Sequence, residues 1–283
     1  MSSSNVEVAE TGANGQSLNK RLYFQLMVFD IEPAAGPRAM GQQLARRLAE
    51  KNISSVIYED VNDHRGLGLL VWSDDPSTFV TRVRPLLGAK RYGALTPRPG
   101  WVMFGRTYGT GHEPDLEHVL MGRPVERALD PKNQWAVWYP LRRNGAFGLL
   151  PAKEQGAMLK EHGDIGRAWG EAGLVEDIRL ACQGLDPEDN DFVIGLLGAD
   201  LAPISKIVAQ MRGTRQTAEF LTKLGPFFVG RKAYQHPAPV REEPPAPEPV
   251  EEPAPADEPV TKDDLPAVDA PDTDADAAAP VEK

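Results

Sequence analysis

The chain has 283 residues, a net charge of −10 at neutral pH and a single cysteine, Cys182. One cysteine excludes an internal disulfide and an all-thiolate zinc site within one chain, and without a CxxCH motif it excludes covalently attached c-type haem. No run approaches the roughly 20 apolar residues of a membrane span, and residues 1–20 are polar with no signal-peptide core, so the composition predicts a cytoplasmic protein.

The charge is spread unevenly. From Tyr234 onward 14 Asp/Glu face 3 Lys/Arg, which gives this tail −11 and leaves about +1 for residues 1–233. A near-neutral folded part offers no basic field, so nucleic acid is discounted as a partner. The tail also holds 12 of the 26 prolines and few large apolar residues. It cannot bury enough surface to offset its ordering entropy, which predicts a disordered acidic segment over 233–283, a tether or a docking element. Residues 1–20 are expected to be disordered as well.

The first aromatic-rich alternating run, RLYFQLMVFDI (21–31), predicts a strand. GPRAMGQQLARRLAE (36–50) has helical spacing through Met40, Leu44 and Leu48, with Pro37 near its start. SSVIYEDV (54–61) and LGLLVWSDD (67–75) read as strands joined by the turn-rich NDHRG, and PSTFVTRVRPLLG (76–88) as a helix. A polar stretch containing GTGHEPDLEHVL follows. The pattern then repeats: strand 134–142, helix 151–170, strands 175–185 and 191–200, helix 202–214 and a last strand at 225–231.

Two β-α-β-β-α units predict an α+β fold of two ferredoxin-like antiparallel sheets packed face to face, helices outside. The expected division is a structural first half (21–110), a linker (111–133) and a second half (134–232), flanked by disordered 1–20 and 233–283. A pocket between sheet and helix suits such a unit.

Of five histidines, His64 falls in a hairpin turn, His112 and His118 in the linker and His236 in the tail. Only His162 shares an apolar helical face, with Met158, Ile165 and Trp169 at i, i+4, i+7 and i+11. A core histidine bonded to a carbonyl is the plain alternative. A multi-histidine metal site lacks partners, since there is no HxxxH or HxH pair. A cofactor needing one protein ligand fits better, and haem iron is such a case. Its propionates would need partners such as Arg127, Arg167, Arg212 and Thr217, because arginine holds carboxylates bidentately.

WYPLRR (138–143), LKEHGDIGR (159–167), the strand pair around GLD, MRGTRQTAEF and GPFFVG, in this order, resemble the chlorite dismutase superfamily, and within it the coproheme decarboxylase branch. The likeness covers about residues 20–232. It implies a dimeric α+β barrel of two ferredoxin-like halves, often assembled as a homo-oligomer such as a pentamer, with one haem in the second half. By position, His162 matches the proximal iron ligand and Tyr139 the radical-relay tyrosine of the decarboxylases. Arg167 and Thr217 match propionate partners, and Arg127 matches another across a two-residue gap.

The resemblance implies haem b or iron coproporphyrin III as the iron-containing cofactor or substrate, with hydrogen peroxide as oxidant. In the reaction that the resemblance implies, peroxide oxidises the iron, the tyrosine passes the oxidising equivalent to a propionate, and the propionate loses its carboxyl group as carbon dioxide and leaves a vinyl group. The chain departs from the family at several positions. Asp177 stands where chlorite dismutases hold arginine, which counts against chlorite turnover; it could instead serve as a base toward peroxide. Leu141 replaces a methionine, Phe147 a tryptophan, and Arg142 and Arg143 stand where a lysine is expected. A chlorite dismutase, a haem peroxidase and a non-catalytic haem carrier or sensor are the alternatives.

Overall fold

Eight strands rich in alternating apolar residues account for the architecture. In the computed structural model, which describes residues 7–237, these are β1 (Tyr23–Ile31), β2 (Ser55–Asp60), β3 (Gly66–Ser73), β4 (Met103–Arg106), β5 (Trp135–Arg143), β6 (Glu176–Ala181), β7 (Phe192–Gly198) and β8 (Phe228–His236). They pair antiparallel in the order β4-β1-β3-β2-β8-β5-β7-β6, and β6 returns to β4 through the Arg106–Ala181 pair.

The sheet is therefore a closed α+β barrel. This is the α+β barrel that the resemblance implies, and the halves join edge to edge, through β2–β8 and β4–β6, where strand pattern alone suggested two separate sheets face to face. Closure pairs the N–H and C=O groups that open edges would expose. Each half uses its strands in the same order: fourth, first, third, second. The fourth strand of the first half, β4, was not anticipated, because its four residues are too few for alternation to show.

The barrel interior is filled by Phe24, Leu26, Tyr58, Trp72, Trp138, Ile178, Leu180 and Phe228, among others. Trp138 lies flat across Gly195 of the neighbouring strand, where a Cβ would sit 2.6 Å from the indole ring. Phe228 covers Gly68 in the same way. Large aromatic groups thus fit a narrow barrel only because the facing strands carry no side chain there.

Three boundaries differ from expectation. Residues within 1–20 form a hairpin, Glu10–Thr11 with Ser17–Leu18, fastened by Gln16 to Pro114 O (2.9 Å) and Leu116 N (3.1 Å). Polar bonds order this segment where apolar burial could not. The linker is mostly helical: a π-helical turn (His118–Gly122) runs into α3 (Arg123–Leu129), and Leu120 and Ala128 are fully buried there. β8 continues to His236, so residues 233–236 belong to the sheet and His236 pairs with Ser55. The remaining tail, and residues 1–6, lie outside the described residues.

The other helices are α1 (Pro37–Glu50), α2 (Arg84–Leu87, after a π-helical turn at Phe79–Val83), α4 (Ala152–Glu171), α5 (Leu201–Arg212) and α6 (Arg215–Phe220). Among the described residues, no helix is long and apolar enough to cross a membrane.

Candidate functional site

Strand alternation gives the outer face of the second half Val137, Tyr139, Leu141 and Leu196, which pack with Ile204 and Ile207 of α5. Helix α4 lies over this face but fills it poorly. Of its 20 residues only Met158 is buried, whereas the 14 residues of α1, the equivalent helix of the first half, bury Met40, Gly41, Leu44 and Leu48. The topology is the same, so the difference lies in the side chains. His162, Ile165 and Trp169 of α4, Ile194 of the sheet and Phe227 just before β8 stay part-exposed along one apolar layer.

His162 Nδ1 lies 3.5 Å from the Thr214 hydroxyl. Thr214 is buried at the start of α6, and its hydroxyl donates to the Met211 carbonyl at 2.8 Å. A hydroxyl has one proton, so Thr214 accepts from Nδ1–H, and Nε2 is left with its lone pair. Nε2 has no partner among the described residues. Burial, followed by the charges of Arg143 and Arg179, holds the imidazole below its ordinary pKa, so it is neutral at pH 7. A neutral imidazole with a free Nε2 is chemically able to ligate a metal.

Tyr139, on β5, is 7% exposed and stacks on Phe227 with ring centroids 4.7 Å apart. Burial first, and then Asp177, push its phenol well above the usual range, so it stays protonated. Its hydroxyl has no hydrogen-bond partner among the described residues, unlike that of an ordinary packed strand tyrosine.

Asp177 and Arg179 share the same face of β6, two residues apart. Asp177 accepts from Arg127 Nη1 (2.5 Å) and pairs with Arg179 Nε (3.0 Å). Against the cost of burial, Arg179, Arg127 and Arg123 hold its carboxyl below the usual carboxylate range. So ionised a group is a weak base at neutral pH. Arg143 stacks over Phe147 (4.5 Å) and Phe192 (4.7 Å).

The structure separates the remaining candidates. Thr217 lies 3.1 Å from the Thr214 hydroxyl, beside His162. Arg212, at the end of α5, sits 6.0 Å from the Phe227 ring, next to Tyr139's stacking partner. Arg127 is committed to Asp177. Arg167 is mostly exposed and reaches only Asp164 (3.7 Å), because five residues along a helix turn it away from His162's face. Thr214 and Arg179 were missed by sequence reasoning, and Arg143 was noted only as a departure from the family's lysine. Thr214 was findable as the residue before a short helix, an N-cap whose hydroxyl accepts from Thr217 N.

Comparison with known proteins adds to this geometry. Residues 113–233 match the family model described as chlorite dismutase. Over that segment the chain is similar to the chlorite dismutase family. The segment contains all of β5 to α6, and with them His162, Tyr139, Thr214 and the Asp177 cluster. The chain is 36% identical over 105 residues to coproheme decarboxylase of Thermus thermophilus, a match that takes in 36% of this chain and 40% of that protein's length.

Among solved structures, a heme-binding protein from Thermus thermophilus superposes with a TM-score of 0.59 at 23% identity, over 75% of this chain and 91% of the other. A chlorite dismutase from Candidatus Nitrospira defluvii, solved with imidazole, superposes at 0.58 and 15% identity, over 76% and 92%. Both share the barrel fold of residues beyond the matched segment's own limits. The α+β barrel is thus the chlorite dismutase fold, and its first half keeps that fold while α1 closes over the corresponding face.

Proposed function

We propose that this protein binds an iron porphyrin between α4 and the outer face of β5–β7, and that it converts iron coproporphyrin III to haem b by peroxide-dependent oxidative decarboxylation. One observation carries the reading: a neutral histidine with a free Nε2 lies over the same poorly filled apolar layer as a protonated phenol with no partner. The donor set fits the group, since porphyrin iron needs one axial nitrogen and a flat apolar wall. The porphyrin iron supplies the oxidising chemistry when bound.

The protein's own residues hold and place. Thr214 fixes the His162 tautomer. Phe227 stacks on Tyr139 and Ile194 pairs opposite it, which fixes the ring in place. The phenol, kept protonated by burial, can give up an electron and its proton together. Arg212, Arg143 and Thr217 lie around the layer as partners for carboxylates. The proposed partners are the porphyrin and hydrogen peroxide, in the homo-oligomer that the resemblance implies.

The test is to load the chain with iron coproporphyrin III, add peroxide stepwise and follow the porphyrin mass. Loss of two carboxyl groups, ending at haem b, supports the decarboxylase. Tight binding with unchanged mass points to a carrier, or to a peroxidase that leaves the porphyrin intact.

Chlorite turnover is the second reading, and one observation favours it. Asp177 alone would repel an oxyanion, but Arg179 returns a cation to the same face. Oxygen release from chlorite by the haem-loaded protein distinguishes the two.

A further inference from the structure

The last turn of α3 is closed by side chains from elsewhere in the fold. A helix leaves its final carbonyls without partners of its own. Here Asn133 Nδ2 donates to Arg127 O (3.0 Å), and Gln235 Nε2 to Leu129 O (2.9 Å). Lys232 Nζ donates to both Ala128 O (2.7 Å) and Asp130 O (2.9 Å). Lys232 and Gln235 belong to β8, and the lysine lies 104 residues from Ala128 in the chain.

A regular strand would send residues 232 and 235 to opposite faces. β8 does not, because Ala233 is an extra residue between the Lys232–Tyr58 and Tyr234–Ile57 pairs of its ladder with β2. Lys232 therefore pairs with Tyr58 and Gln235 with Val56, both of which belong to the barrel interior. The bulge aims both polar side chains at the barrel end that α3 plugs with Ala128. Lys232 arrives as a cation: burial pulls its amine down to about 8, which leaves it protonated at neutral pH. A cation suits the negative end of a helix.

From the same turn, Arg127 Nη1 donates to Asp177 O (2.6 Å) and Asp177 Oδ1 (2.5 Å). Asn133 donates in addition to Glu176 Oε2 (2.8 Å), beside Asp177. With 7 residues, α3 is too short to hold its own geometry in water. Its closed end fixes where Arg127 stands. We propose that Lys232 and Gln235 are positioning residues that keep the Arg127 guanidinium on the Asp177 carboxylate. Asp177 shares its face of β6 with Arg179, and Arg179, Ile194 and Tyr139 form one row across the sheet. The end of β8 thereby sets the charge presented on the face that carries Tyr139. This role goes beyond the porphyrin reading and does not depend on it.

Carbon-13 NMR of the aspartate carboxyls in the full chain, without porphyrin, tests the proposal, with Asp177→Asn to assign the signal. Asp177 in the wild type should titrate below the usual carboxylate range. Lys232→Met should move that midpoint up toward the usual range, and Lys232→Arg, which keeps a charged donor, should leave it in place. Arg127→Gln should raise the midpoint as well. Adding Lys232→Met to Arg127→Gln should raise it no further, because the lysine acts through that arginine. A wild-type midpoint in folded Lys232→Met overturns the proposal, and so does an additive rise in the double variant. If Lys232→Met does not fold, Gln235→Ala decides: a raised midpoint supports the pair, and an unmoved one overturns it.

Discussion

The Thr214 hydroxyl stands between the Met211 carbonyl (2.8 Å) and His162 Nδ1 (3.5 Å), and its one proton goes to the carbonyl. The direction of that single bond decides which imidazole nitrogen faces the apolar layer with a lone pair.

Thr214→Val removes the acceptor and frees the tautomer. Iron-porphyrin affinity should fall by about 10-fold or more, the usual cost of losing a ligand's orienting partner. Loss of the cap on α6 should cost about 1 kcal/mol in addition. Thr214→Ser should restore both. Porphyrin absorbance titrations and thermal melts of the two variants measure this, and equal affinity in Thr214→Val would remove Thr214 from the site.

The depressed pKa of His162 gives a pH dependence of defined sign. The unfolded histidine takes up a proton near pH 6.5, while the folded one, buried beside Arg143 and Arg179, takes it up at lower pH. Between those two points the unfolded state binds more protons, so stability falls as pH drops below about 6.5 and levels off below the folded pKa. His162→Gln should flatten that part of the stability–pH curve. Iron-porphyrin affinity should fall only at lower pH, where the folded imidazole itself takes up a proton that competes for the ligand nitrogen. Chemical denaturation at pH 5 and pH 7.5 reads the first effect.

Tyr139→Phe should be nearly silent for the fold and decisive for the chemistry. The ring keeps its stacking on Phe227, and the hydroxyl has no hydrogen bond to lose, so stability should move by no more than about 0.5 kcal/mol. Porphyrin binding should persist while carboxyl loss stops. If the variant decarboxylates at the wild-type rate, the phenol is a packing residue.

Asp177→Asn leaves Arg123, Arg127 and Arg179 without their one carboxylate. The carboxyl is about a third exposed (34%), so solvent screens the loss, which should be about 1–2 kcal/mol. High salt should shrink it. In the wild type the same pair makes stability fall as acid protonates the carboxyl below the usual carboxylate range, since its folded pKa is depressed. Melting at low and high salt tests the variant.

Local pattern made the helices and most strands legible. The spacing of Met40, Leu44 and Leu48 predicted the face of α1, and His162, Ile165 and Trp169 that of α4. What alternation could not show was closure. Edge pairing of β2 with β8 and of β4 with β6 joins residues far apart in the chain, and β4 is too short to announce itself. The Gln16 contacts that order the N-terminal hairpin are long-range for the same reason. At the site, His162 and Tyr139 stood out by residue type and by their motif. Thr214 and Arg179 matter through what they touch, and Arg167 fits the motif yet faces solvent. Asp177 was read as a base because its sequence position says nothing of the arginines that close on it.

The central claim is that His162 Nε2 is the protein's ligand to porphyrin iron. The most direct test is to replace it with glycine, load wild type and His162→Gly with ferric porphyrin, and record absorbance and electron paramagnetic resonance spectra. The account predicts that the variant loses the histidine-ligated spectrum and regains it when imidazole is added. An unchanged spectrum in folded His162→Gly would contradict it and move the ligand elsewhere.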